Sequence, residues 1–221
     1  MTTDEHTFLF ADLSGYTALT EVHGDEDAAD LVTRFVDDVR AELPGYGAEE
    51  VKTIGDAVMI RADDPERAVR LAISIVHDVG RRHGFPSVRV GVHTGPAVER
   101  DGDWFGAAVN LAARVSGAAA GGEVLLTAAT AERIAGDRGT PRLFLRPRGR
   151  RELRNVSEPV ELIEALCEFS RSLEDLPIDP VCRMAVEPDH AAGSLSYEGA
   201  EYWFCSLDCV QKFAASPEHY R

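Results

Sequence analysis

The sequence has no run of about 18 apolar residues, the length needed for a helix to cross a bilayer, so no membrane-spanning helix is expected. Its start, Met1-Thr-Thr-Asp-Glu-His6, lacks both the basic opening and the apolar stretch of a secretory signal, which makes the cytoplasm the expected compartment. Basic side chains are scarce. The 23 Lys and Arg stand against 38 Asp and Glu, and the formal net charge of −15 argues against nucleic acid or an anionic membrane as partner. Cysteine is sparse as well: there are 4, three of them close together near the end of the sequence. In a reducing compartment that cluster reads as free thiols or a metal site rather than a disulfide framework. The 221 residues suffice for one medium domain and a small one.

The most informative stretch is Phe8–Thr17. Phe8, Leu9, Phe10 and Ala11 read as a short central strand, and Ser14-Gly15 supply the turn into a helix that starts near Tyr16. Asp12 stands at the strand end, where a carboxylate is held rigidly yet open to solvent. It suits a hard cation such as Mg²⁺ or Mn²⁺, or simply caps the helix.

Further along, Asp25 to Leu43 places Leu31, Phe35 and Val39 at helical spacing, and Pro44-Gly45 is expected to end that helix. Glu49–Ile54 and Ala57–Ile60 form a hairpin around Gly55-Asp56. Pro65–Arg82 is an amphipathic helix with Ala68, Leu71, Ile75 and Val79 on one face, and Ser87–Thr94 alternates as a strand. His93, inside that strand, reads as a satisfied core residue. A helix within Trp104–Ser116, a buried strand Glu123–Thr127 and a helix Ala128–Ile134 follow. Arg142–Leu166 then reads as strands joined by a basic loop. Strands alternating with helices point to an α+β layered domain.

Lys52-Thr-Ile-Gly55-Asp56 puts a second acid at a glycine turn. Taken alone it is an ordinary turn. Paired with Asp12, it makes a candidate site for two cations a few ångströms apart, the arrangement used in phosphoryl displacement.

Phe10-Ala-Asp12-Leu-Ser-Gly15-Tyr-Thr17, Lys52-Thr-Ile-Gly55-Asp56 and Asp103-Trp-Phe-Gly106-Ala-Ala-Val-Asn110-Leu-Ala-Ala-Arg114 together resemble the catalytic domain of class III adenylate/guanylate cyclases. The resemblance implies a ferredoxin-like sheet with a C-terminal hairpin arm. It also implies that Asp12 and Asp56 hold two divalent ions, Mg²⁺ or Mn²⁺, and that ATP becomes cyclic AMP and pyrophosphate. Lys52 and Asp103 fall where the family contacts the purine. An amine beside a carboxylate matches ring N1 and the exocyclic amine of adenine; guanine offers the opposite pattern, leaving a guanylate cyclase as the alternative. Asn110 and Arg114, four apart on one helix face, take the ribose-orienting and phosphate-neutralising places. The family's triphosphate-binding lysine, commonly followed by glycine, is replaced here by Arg154-Asn155, with Arg146, Arg148, Arg150 and Arg151 competing for the role. The family's site forms between two domains, so a two-fold homodimer is implied. A nucleotide- or metal-sensing regulator with weak catalysis is the other alternative.

A polar stretch, residues 168–177, separates this unit (1–167) from residues 178–221. There Asp179-Pro-Val-Cys182-Arg-Met184, Tyr197-Glu-Gly199-Ala-Glu-Tyr202-Trp-Phe-Cys205-Ser206-Leu-Asp-Cys209 and Pro217-Glu-His-Tyr220 resemble a YHS domain, similar to the small TRASH-type metal-binding fold. Cys205 and Cys209 sit one turn apart at a strand-to-helix junction, with Cys182 from a preceding loop. Three thiolates favour Zn²⁺ or Cu⁺. His190, Met184, water or a group from the first domain are the candidates for a fourth ligand. The alternative is three reduced cysteines in a small core held by Tyr, Trp and Phe side chains. Cys167 reads as an inert residue at a strand end.

Overall fold

The computed structural model describes residues 5–80, 84–134, 143–167 and 176–220. Strand β1 (Glu5–Leu13) lies near the middle of a seven-stranded sheet. The others are β2 (Ala48–Ile54), β3 (Ala57–Ala62), β4 (Val88–Pro96), β7 (Val124–Thr127), β8 (Leu143–Arg151) and β9 (Val160–Cys167), in the order β2-β3-β1-β4-β7-β9-β8. Among the described residues only β4 and β7 pair in parallel. A small hairpin, β5 (Val98–Arg100) and β6 (Asp103–Phe105), follows β4; its three-residue strands are too short to leave a period in the sequence.

Side chains of a strand alternate between faces, and β1 is apolar on both. Leu9 and Ala11 pack with α2 (Asp25–Tyr46) and α3 (Pro65–Ser74), while Phe8 and Phe10 join Met59, Ala108, Val109 and Ala112 under α4 (Ala107–Ala118). All of these core residues are buried. By the same alternation Asp12 leaves the strand on the α4 side.

Helix boundaries depart from the sequence reading in three places. Pro44 does not end α2 but lies in its last turn, where little hydrogen bonding remains to be lost; Gly47, at φ 65°, closes the helix by donating to the Leu43 and Pro44 carbonyls. After Ser74 the third helix widens into a π turn, Ile75–Val79. Helix α5 is only Ala128–Ala131. The basic loop expected after Arg142 is instead part of β8, which carries Arg146, Arg148, Arg150 and Arg151. The short helix α1 (Tyr16–His23) completes the first unit, and among the described residues no helix is long and apolar enough to cross a membrane.

Of the joining stretch 168–177, residues 168–175 lie outside the described residues; Pro177 already bonds into the C-terminal unit by accepting from Val186 N at 2.8 Å. That unit holds a hairpin, β10 (Gly193–Tyr197) and β11 (Ala200–Phe204), and helix α6 (Leu207–Ala215). Glu198 and Gly199, both at positive φ, make the two-residue turn whose twist suits a hairpin. Phe213 is its centre, with the Tyr202 and Phe204 rings 4.8 and 5.2 Å away and Tyr197 and Tyr220 beyond. The aromatic core expected from the sequence is therefore present, though Trp203 is not part of the buried cluster.

Gly91 of β4 admits α4 to the sheet. A Cβ there would meet Ser116 Cα at 2.5 Å and the Val115 carbonyl carbon at 2.6 Å, both helix backbone that cannot swing aside. Gly91→Ala is expected to cost about 3 kcal/mol or more by chemical denaturation, as overpacking against rigid backbone does. It should also displace the helix that carries Asn110 and Arg114.

Candidate active site and metal centre

Asp12 does not cap α1. Gly15, at φ 93°, occupies that position, and no side chain bonds to the helix start. The Asp12 carboxylate instead accepts from Arg89 of β4, whose Nε lies 2.6 Å from Oδ2 and whose Nη2 makes a second contact. Across the sheet Asp12 pairs in register with Ala57, which brings the neighbouring turn residue Asp56 alongside. Burial, and after it the Asp12 carboxylate in hydrogen-bonding contact, push the Asp56 pKa above the usual carboxylate range, with Arg89 opposing. Two half-buried carboxylates thus share one arginine, a surplus of hard oxygen donors that fits a Mg²⁺- or Mn²⁺-type ion.

Lys52 and Asp103 meet as well. Lys52 Nζ of β2 donates to Asp103 Oδ2 of β6 at 2.5 Å, and this bond holds the Asp103 pKa down. The lysine also lies 5.8 Å over the Phe105 ring. Asn110 and Arg114 are both exposed on α4. Among the described residues Arg114 has no ion-pair partner, whereas Arg146 donates to Glu164 at 2.7 Å and Arg148 is paired with Glu123 and Glu164. Those pairings remove two of the competitors of Arg154, which is exposed beyond β8. Asn155, at φ 60°, takes the left-handed conformation, which asparagine tolerates. His93 is half-buried and satisfied: burial pushes its pKa down to about 4, and Nδ1 lies 2.7 Å from Thr127 Oγ1. Cys167 ends β9 half-buried.

In the C-terminal unit Cys182 Sγ is 3.3 Å from Cys205 Sγ, which is 3.8 Å from Cys209 Sγ. Contacts from Cys182 and Cys205 lower the Cys209 pKa, and the contact with Cys205 raises that of Cys182. The buried Asp179 accepts from Val181 N and Cys205 N, each at 2.9 Å, and fixes the loop to the strand end. A fourth donor is His23, the last residue of α1, with Nε2 3.6 Å from Cys205 Sγ. The sequence reading left the first domain open as a source of this ligand without pointing to His23. Nothing local marks it, because the thiol beside it, Cys205, is 182 residues away in sequence. Three soft thiols and an imidazole suit a Zn²⁺-type ion.

Because Asp56 holds its proton more tightly folded than unfolded, it is a burden that is absent below its unfolded pKa and complete above its folded one. Asp56→Asn should therefore raise the thermal midpoint of the metal-free protein at pH 7, with the gain fading toward acid. It should also shrink the further rise that Mn²⁺ gives the wild type. Thermal unfolding at two pH values with and without Mn²⁺ measures both.

A family profile described as the adenylate and guanylate cyclase catalytic domain matches residues 1–160, and one described as the YHS domain matches residues 178–221. The chain is 41% identical over 128 residues to a pH-sensitive adenylate cyclase of Mycobacterium tuberculosis, a stretch covering 58% of this chain and 32% of that protein. It is 36% identical over 132 residues to an adenylate cyclase of Streptomyces coelicolor, covering 60% of this chain and 35% of that one. It thus spans about a third of the length of these curated relatives. Among solved structures, a Trypanosoma brucei adenylate cyclase in its monomeric state superimposes with a TM-score of 0.65 at 27% identity, over 84% of this chain and 95% of that one. The adenylyl cyclase CyaB of P. aeruginosa shares the fold at a TM-score of 0.62 and 23% identity, over 78% of this chain and 96% of that one. With a profile match across most of its length, the chain belongs to the adenylate and guanylate cyclase catalytic-domain family and carries a YHS domain in residues 178–221.

Proposed function

We propose that this protein is an adenylate cyclase, converting ATP to 3′,5′-cyclic AMP and pyrophosphate at a site that two copies of the chain complete together. The reading divides the chain into a cyclase unit (1–167), a joining segment (168–177) and a YHS domain (178–221). The observation that carries it is the pairing of the motif residues. Asp12 stands against Asp56 on one side and is bonded to Arg89 on the other, and Lys52 is bonded to Asp103. The relatives named as adenylate cyclases support ATP as substrate.

In this reading the 3′-oxygen of the ribose attacks the α-phosphorus, the bond to the bridging oxygen breaks, and pyrophosphate leaves with the electron pair. Divalent ions held by Asp12 and Asp56 would supply Lewis acidity to the attacking hydroxyl and to the triphosphate. Lys52 donates to adenine N1 and Asp103 accepts from the exocyclic amine. The Asn110 amide orients the ribose, and Arg114, uncommitted to any carboxylate among the described residues, neutralises the charge that grows on the α-phosphate. Arg154 binds the triphosphate from the arm. The exposed apolar side chains Ile54 and Phe105, beside Lys52, support a second copy covering this side of the sheet.

Asp12→Ala and Arg114→Ala are each expected to lower cyclic AMP formation by about 100-fold or more. Mixing the two inactive variants should restore about a quarter of wild-type activity: half of the dimers are mixed, and each mixed dimer has one of its two sites intact. Cyclic nucleotide and pyrophosphate, assayed from ATP and from GTP with Mg²⁺ or Mn²⁺, measure this. A folded, dimeric wild type that makes no product sinks the enzyme reading, product from GTP alone makes it a guanylate cyclase, and folded, inactive variants whose mixture recovers nothing sink the shared site.

A further inference from the structure

Four donor atoms, one each from His23, Cys182, Cys205 and Cys209, lie within 4.8 Å of one another. Bonds of about 2.3 Å from zinc to sulfur put the edges of a tetrahedral site at about 3.8 Å. The two sulfur separations of 3.3 and 3.8 Å and the sulfur-to-nitrogen separation of 3.6 Å lie at that edge or within half an ångström below it. Cys182 and Cys209 are fully buried, so the set is closed as structural zinc sites are rather than open as catalytic ones are. The other sequence candidates are engaged elsewhere. His190 is exposed, with Nδ1 2.7 Å from Glu187, and Met184 packs between the apolar cores of the two domains.

We infer that His23, in the cyclase domain, is the fourth ligand of a Cys₃His zinc-type site, so that metal binding fastens the YHS domain to the helix that follows Asp12. The inference rests on the reading of the three cysteines as metal ligands and adds the residue that makes the site shared. Contacts around the site already bring the domains together. Ala185 N donates to the Phe85 carbonyl at 2.7 Å, Gly84 N donates back to Ala185 at 3.2 Å, and Lys212 Nζ reaches the Glu21 carbonyl at 3.3 Å. Arg183, next to Cys182 and at φ 68°, lays its side chain on Gly15: a Cβ at Gly15 would fall 2.6 Å from Arg183 Cγ. Ser87 N donates to the Arg183 carbonyl, and Ser14 N donates to the Ser87 carbonyl at 2.7 Å, two residues from Asp12. A cleft of about 510 Å³, whose lining includes His23, Asp27, Asp30, Arg34 and Met184, opens beside the histidine. Ligation releases thiol protons to solvent and changes no oxidation state.

The test uses the full-length protein, zinc and cobalt, and needs no cyclase assay. Wild type should bind one zinc per chain by elemental analysis. His23→Ala should weaken zinc at least about tenfold in competition with a chromophoric chelator, and His23→Cys should restore it. The Co²⁺ forms should differ in their ligand-field bands, and zinc should slow hydrogen exchange across residues 16–23 in wild type but not in His23→Ala. Equal zinc affinity and identical cobalt spectra in wild type and His23→Ala overturn the inference while leaving the three-cysteine site standing. Absence of zinc from wild type and Cys205→Ser alike overturns the underlying reading as well, whatever the cyclic AMP yield.

Discussion

Two carboxylates that repel each other are kept in contact at one end of a buried strand, and much of the architecture serves that contact. Antiparallel pairing of β1 with β3 sets the register that brings the turn after β2 up to Asp12. Apolar packing on both faces of β1 keeps that register from slipping. Arg89 offsets part of the repulsion from the strand on the other side. The charge surplus that remains is tolerable because the frame around it is rigid, which is the usual relation between a strained site and a stable scaffold.

The parts of this arrangement that local sequence encodes were legible there. The apolar run Phe8–Ala11, the Gly55 turn, the alternation of Val88, Val90 and Val92, and the apolar spacing of α2 and α3 each depend on a few neighbouring residues, and each produced the expected element. The errors lie where tertiary context overrides a local signal. Pro44 is accommodated because the next turn is already the helix end, and the arginines of β8 form a strand because Glu123 and Glu164 neutralise two of them. A basic run without acids opposite it reads as a loop; opposed by acids across the sheet, it becomes half of a charged ladder.

The site was legible in its residues but not in its partnerships. Asp12, Lys52, Asp56, Asp103, Asn110 and Arg114 were singled out by the resemblance of their motifs to the family's, and their roles in turnover stay with the proposed function. That Arg89 would bond Asp12, or that Arg183 would rest on Gly15, depends on contacts across long sequence separations that no window of sequence contains. Asn155 shows the opposite case. Its left-handed backbone is a local matter, which asparagine's own tolerance of positive φ allows.

His23 and the three cysteines lie at opposite ends of the chain. During synthesis His23 leaves the ribosome well before Cys209, and α1 must be in place on its sheet before the cysteine loop has anything to meet. The four-donor set can therefore be complete only in molecules whose first domain has already placed α1.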